Sequence, residues 1–149
     1  MVNYKVAQIF SRDEKWEILH QCDKAFEKSV VKNPNFPQLF EKIDAYAEFL
    51  AAKATDVMGY LAMYANNTQT KQAYITLIGV HPDYQRMGVG EALLKACIAL
   101  ALERSMETLC LEVYCDNPKA ISFYEKNGFV KQTETDHNSM YMVKQLKGE

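Results

Sequence analysis

The stretch Ile78-Gly79-Val80-His81-Pro82-Asp83-Tyr84-Gln85-Arg86-Met87-Gly88-Val89-Gly90 constrains the fold more than any other part of the chain. Ala73 to Val80 is rich in β-branched residues and reads as a strand, which Pro82 ends. Residues 88 to 104 place Val89, Leu93, Cys97 and Leu100 on one helical stripe, with Leu94 and Ile98 beside it. Such a passage sets a helix N-terminus at the end of a strand. The first N–H groups there lack internal partners, and the helix dipole favours negative charge. Gly88 and Gly90 remove side chains that would keep a phosphate away from those groups. The segment predicts an anion site, for a diphosphate, although the same glycines would also serve a plain tight turn. Two phosphate loops do not fit. The nucleoside-triphosphate loop needs Gly-Lys-Ser/Thr, and Glu91-Ala92 follows Gly90; the dinucleotide loop needs Gly or Ala where Leu93 stands.

With 149 residues the chain can bury about two thirds of its unfolded surface, so one domain over 1–149 is expected. An apolar content of 48% argues against intrinsic disorder. Seventeen Lys plus Arg against 19 Asp plus Glu give a net charge of −2, which offers no footprint for nucleic acid or an anionic membrane. No apolar run is long enough to span a bilayer, and Met1 to Lys5 lacks the apolar stretch of a secretory signal. Cys22, Cys97, Cys110 and Cys115 show no metal-ligand spacing and no disulfide framework, and Cys97 reads as a buried free thiol. His20, His81 and His137 are scattered, so no metal site is expected. These features predict a cytoplasmic, reduced chain.

Tyr4 to Phe10 reads as a first strand, and Glu14 to Lys28 as a helix with Trp16, Leu19, Cys22 and Phe26 at helical spacing. Asn33 to Pro37 reads as an extended loop, followed by a second helix through Leu39, Phe40, Ile43 and Tyr46. Phe49 to Tyr64 is a hairpin turning near Ala54-Thr55-Asp56, with another turn at Asn66 to Thr70. Leu109 to Tyr114 is a strand. Asn117 caps a helix with Pro118 in its first position, and Asn127-Gly128 ends it. Strands over Phe129 to Thr133 and Met140 to Leu146 complete a β-α-α-β-β-β-α-β-α-β-β order.

Gln85-Arg86-Met87-Gly88-Val89-Gly90 resembles the Gln/Arg-x-x-Gly-x-Gly/Ala pyrophosphate signature of the Gcn5-related N-acetyltransferases (GNAT superfamily). Leu111-Glu112-Val113, Asn117-Pro118-Lys119-Ala120 and Phe123-Tyr124-Glu125-Lys126-Asn127-Gly128-Phe129 resemble its later motifs in order and spacing. The resemblance is close from Ala73 to Val130. It implies an α/β fold: a mixed, mostly antiparallel sheet of about seven strands, flanked by about four helices, with one splayed parallel pair. It also implies acetyl-CoA as acyl-donor cosubstrate, without a metal. Ile78 and Val80 would then meet the pantetheine arm and the thioester oxygen. Residues Gln85, Arg86, Met87, Gly88, Val89, Gly90 and Glu91 would hold the pyrophosphate, and Asn117 would meet the pantetheine as well as cap its helix.

Tyr124 stands where many relatives place a general acid, and packing alone would also suit an aromatic there. Glu112 points with Cys110 and Tyr114, opposite Leu109, Leu111 and Val113. A carboxylate on a central strand faces either a wet cleft or an ion-pair partner. The resemblance implies the first, with Glu112 as base, as in relatives that acetylate ribosomal-protein N-termini. Other relatives use a Glu on the preceding strand, which here holds only Thr76 and His81 as polar candidates. The implied reaction is direct attack of a primary amine on acetyl-CoA in a ternary complex. A small-molecule amine is the leading acceptor expectation, an amino sugar being suggested by a loose likeness around Phe36-Pro37-Gln38-Leu39. Alternatives are a protein N-terminal or lysine acetyltransferase, or a non-catalytic acyl-CoA-binding sensor. Phe36, Phe40, Tyr46, Tyr60, Tyr64 and Tyr141 are candidates to line the acceptor site or to pack the core. A sheet edge near the C-terminus could pair two chains as a homodimer.

Overall fold

Seven strands form in the computed structural model, which describes residues 3–146; the expected domain's outermost residues, 1–2 and 147–149, lie outside the described residues. The strands are β1 (Lys5–Gln8), β2 (Glu48–Lys53), β3 (Val57–Tyr64), β4 (Gln72–Val80), β5 (Thr108–Tyr114), β6 (Val130–Glu134) and β7 (Ser139–Gln145). They form one sheet in the order β1-β2-β3-β4-β5-β7-β6. Only β4 and β5 run parallel; every other neighbouring pair is antiparallel. The helices are α1 (Arg12–Gln21), α2 (Phe36–Tyr46), α3 (Val89–Glu103) and α4 (Pro118–Lys126). The mixed sheet and its parallel pair agree with the sequence expectation.

Each face of the sheet carries its own core. Leu93, Leu94, Cys97 and Leu100 of α3 pack with Leu61, Met63, Leu109 and Leu111, and α4 joins them through Tyr124. On the opposite face, Ile18 and Leu19 of α1 and Phe40 and Ile43 of α2 pack with Phe49 and Tyr60. Each such side chain contributes about 1.5–3 kcal/mol when fully buried.

The feature that positions the site is a split in this sheet. β4 and β5 pair only from Gln72–Thr108 to Ile75–Leu111. Beyond that, β4 continues against β3 and β5 against β7. The β3–β4 register supplies the cause: Ala62 faces Leu77 while the next residue, Met63, faces Ile75, so Thr76 is an extra residue in β4. A bulge bends its strand and sharpens the local twist. Here it turns β4 away from β5 directly after their last pair.

Three details differ from the sequence expectation. The first helix ends at Gln21, and a 3-10 turn, Asp23–Ala25, replaces its expected continuation to Lys28. Asp23 is the reason: its carboxylate accepts from Ser29 Oγ (2.6 Å) and from the backbone N–H groups of Val30 (2.9 Å) and Val31 (3.2 Å), drawing the chain into a loop. Trp16 is half exposed, and Ile18 joins Leu19 and Cys22 inside. Phe36 and Pro37 belong to α2, because proline fits the first turn of a helix. The C-terminal sheet edge, where two chains were expected to pair, is β6, and Lys131 and Glu134 form an ion pair on it (2.6 Å).

Candidate active site

A cleft of about 450 Å³ opens where β4 and β5 separate. Its floor is Ile78 to Val80, and its walls are the loop before α3 and the first turns of α3 and α4. The backbone of β4 shows which groups face it. His81 N–H donates to the Met58 carbonyl (2.8 Å), and antiparallel partners exchange bonds at every second residue. Gly79 and Leu77 therefore turn their backbone groups towards β3, and Ile78 and Val80 turn theirs towards the split. Gln85 Nε2 donates to the Val80 carbonyl (3.3 Å), which leaves the Val80 N–H and both groups of Ile78 facing the cleft.

The turn into α3 is built from two left-handed residues, Arg86 (φ 69°) and Gly88 (φ 77°). Gly88 is the N-cap of α3 and supplies no side-chain bond, so the N–H groups of Val89, Gly90 and Glu91 have no helical or capping partner. A Cβ added at Gly88 would meet nothing within 4 Å; glycine is required there for its φ and leaves the cleft open. Gly90 differs: a Cβ there would lie 3.4 Å from Phe123 Cζ, an ordinary contact, so neither φ nor space demands glycine at this position. Gln85, Arg86, Gly88, Val89, Gly90 and Glu91 all line the cleft. Met87 does not. It is part of the same loop, but its side chain is 37% exposed and outside the lining.

α4 contributes Asn117 and Tyr124 to the same cleft. Asn117 Oδ1 accepts from Ala120 N–H (3.2 Å) as the helix cap, so capping and cleft lining coexist in one side chain. Tyr124 is 9% exposed, its ring edge-on to Phe123 and Phe129. Burial pushes its hydroxyl up to about 12 from the ordinary 10.

A smaller cup of about 130 Å³ lies at the vertex of the split, lined by Tyr74, Ile75, Thr76, Glu112, Tyr114 and Ser139. Glu112 projects here, away from Leu111 and Val113 in the α3/α4 core. No Lys, Arg or His among the described residues forms an ion pair with it. Its carboxylate instead accepts from Ser139 Oγ (2.5 Å). Burial, then the nearby Glu112 and Tyr141, push Tyr74 up to about 12, so the cup holds a neutral phenol beside the carboxylate. Tyr124 and Glu112 thus stand on opposite faces of the sheet, joined through its split.

Of the other sequence candidates, Phe36, Phe40 and Tyr60 are core residues, Tyr46 is 61% exposed, and neither Tyr64 nor Tyr141 lines the cleft or the cup. Thr76 lines the cup as the bulge residue. His81 instead caps the 3-10 turn Pro82–Tyr84, its Nδ1 accepting from Asp83 N–H. Tyr74 and Ser139 were not anticipated. The signal available for Ser139 was only a small polar residue opening the last strand. Among the described residues no cluster of His, Cys, Asp or Glu could hold a metal, and no helix is long and apolar enough to cross a membrane.

Fold and cleft define an α/β protein with a helix N-terminus and free strand backbone exposed along the opening of a split sheet. The sequence profile of the Acetyltransferase (GNAT) family matches residues 6–129, and the chain belongs to that family. Over 62 residues it is 45% identical to the [ribosomal protein bS18]-alanine N-acetyltransferase of Escherichia coli, covering 42% of each chain. Over 109 residues it is 33% identical to an N-alpha-acetyltransferase of Sulfurisphaera tokodaii, covering 64% of this chain and 65% of that one. These matches span less than two thirds of either relative. The PaiA N-acetyltransferase from Thermoplasma acidophilum, solved in complex with coenzyme A, shares the fold with a TM-score of 0.78 at 16% identity, over 97% of this chain and 99% of that one.

Proposed function

We propose that the protein transfers the acetyl group of acetyl-CoA to a primary amine, and that the amine is the N-terminus of a polypeptide. The observation that carries the transfer is the pairing of two sites across one split: a cleft with free N–H donors on one face and an unpaired carboxylate on the other. The N–H groups of Val89 to Glu91 suit the diphosphate, and the backbone of Ile78 and Val80 suits the pantetheine arm. An N–H of β4 aimed at the thioester oxygen would stabilise the oxyanion, a large term in acyl transfer.

Glu112 takes the proton of the attacking amine as nitrogen bonds to the carbonyl carbon. The carbon–sulfur bond then breaks, and the thiolate gains a proton. Tyr124, at about 12, stays protonated at neutral pH and donates a hydrogen bond to the departing sulfur. Complete transfer to a thiolate whose thiol lies near 8.5 would cost about 5 kcal/mol, so the proton completes its move only as solvent or product rebalances it. The chain's part is to bind both partners and stabilise charge.

Two considerations favour a peptide N-terminus over the small-molecule amine expected from sequence. One relative named above acetylates an alanine of a ribosomal protein, and another is an N-alpha-acetyltransferase. An α-amine near pKa 8 also needs little help to lose its proton, which suits a carboxylate with no cation beside it, whereas a lysine amine near 10.4 needs about 3 kcal/mol more. The four free cysteines fit a reducing compartment. Titration with acetyl-CoA by calorimetry, followed by thiol release against alanine-, serine- and methionine-terminated peptides, amino sugars and polyamines, tests the reading. Turnover confined to peptides is expected. Turnover of an amino sugar alone would restore the small-molecule acceptor. Binding without any release would leave a sensor, and no binding would remove the cleft assignment.

A further inference from the structure

Ser139 and Lys15 are the buried polar or charged side chains among the described residues. Lys15 pairs with Asp44 (3.1 Å). Ser139, 1% exposed, has Glu112. An alanine would fill the same sheet position without the cost of burying a hydroxyl. The hydroxyl also sits in a directed chain. Ser139 Oγ lies 2.5 Å from Glu112 Oε2 and 2.5 Å from Thr135 Oγ1, and the backbone N–H of His137 donates to Thr135 Oγ1 (3.1 Å). With Glu112 ionised, the one proton of Ser139 is committed to the carboxylate. Thr135 must then donate to Ser139, and its oxygen is left to accept from His137. Every donor points towards Glu112.

The chain begins at a peptide N–H, which releases no proton, so it orients the carboxylate and does not conduct protons. Its frame is rigid. Thr135 N–H donates to the Ser139 carbonyl (2.9 Å), Cys115 N–H donates to the Asn138 carbonyl (2.9 Å), and Asn138 closes the tip at φ 58°. The ionisable groups around Glu112 are Tyr74 on β4, Cys110 and Tyr114 on its own strand, and Tyr141 opposite it on β7. None is cationic. Glu112 Oε1 receives no hydrogen bond from the described residues, which leaves that oxygen available to an amine.

We infer that Ser139, backed by Thr135, is a positioning residue that fixes Glu112 Oε2 so that Oε1 meets the acceptor amine. The inference rests on the reading of Glu112 as base. Ser139→Ala should lower kcat about 10-fold or more while acetyl-CoA affinity by calorimetry stays within twofold. The loss should fall on kcat, with the acceptor KM within about threefold, because the carboxylate stays in place and loses only the bond that orients it. Thr135→Val, at the half-buried tip, should lower kcat by less, again with little change in KM, and provides the test if Ser139→Ala does not fold. The acceptor is the alanine-terminated peptide, or whichever panel amine the wild type turns over best. Wild-type kcat in both variants, or a loss that falls on KM instead of kcat, would overturn the inference while Glu112→Gln still lost activity. Full activity in Glu112→Gln, or a wild type that turns over no amine, would overturn the underlying base reading and this inference with it.

Discussion

Ile75 and Leu111 form the last pair between β4 and β5, and the next residue on each strand, Thr76 and Glu112, lines the cup at the vertex. The end of one hydrogen-bond ladder therefore marks the beginning of the candidate chemistry. Strand groups released from pairing face the cleft, and the polar pair at the vertex faces the other side.

Glycine at position 90 separates two requirements. Gly90→Ala adds a Cβ 3.4 Å from Phe123, an ordinary contact, and should leave acetyl-CoA affinity within about threefold. Gly90→Glu sets a long anionic side chain beside the free N–H groups and should weaken binding at least 10-fold, about 1.4 kcal/mol. Calorimetric titration of both variants measures the difference; equal affinities would remove the diphosphate assignment from this turn.

On the proposed role of Tyr124, Tyr124→Phe should reduce kcat by about 10- to 100-fold, because it would delete the hydrogen bond to the departing sulfur and little else. Packing against Phe123 and Phe129 is retained, so acetyl-CoA affinity and the urea midpoint should stay near wild type. A rate unchanged under single-turnover conditions would leave Tyr124 as a packing residue.

Two glycines under the split should differ in cost. A Cβ at Gly59 would lie 2.8 Å from the Gly79 carbonyl oxygen, which is backbone of the neighbouring strand and cannot yield. A Cβ at Gly79 would also meet an atom at 2.8 Å, but that atom is Phe26 Cζ, the far end of a side chain. Gly59→Ala should therefore destabilise by about 3 kcal/mol and Gly79→Ala by about 1 kcal/mol, read by urea denaturation.

Alkali should unfold the protein through its buried acids. Burial pushes Cys22 up to about 11, Cys97 up to about 12 and Tyr124 up to about 12. Each folded value lies above the unfolded one, so above the unfolded value the folded state holds protons that the unfolded state releases. The stabilisation is intact below pH 9 and is lost as pH rises towards 12, at about 1.4 kcal/mol per unit per group. Denaturation at successive pH values should show that decline, and Cys97→Ala should flatten it by one group.

The strand-to-helix turn at Gly88 and both ends of α4 were legible in the sequence because their signals act within a few residues: a left-handed glycine, an asparagine cap, a proline in the first turn. The direction of Glu112 was legible too, since alternation along a strand needs no partner. The early end of α1 was not, because it depends on Asp23 reaching forward to the N–H groups of Val30 and Val31. Nor was the bulge at Thr76, which exists only in the β3–β4 register. Ser139 was hidden for the same reason: its hydroxyl meets Glu112 across the β5–β7 pairing, 27 positions away along the chain.

The two sides of the split are made of different material. The cleft presents peptide N–H and carbonyl groups of Ile78, Val80 and the start of α3, which persist under most side-chain changes. The cup is made of replaceable tips: two phenols, two hydroxyls and a carboxylate, one of them held by a hairpin turn. On the proposed reading, a lineage built on this sheet could be retargeted by a few codon changes around Tyr74 and Tyr114, while its handling of the donor would be inherited intact.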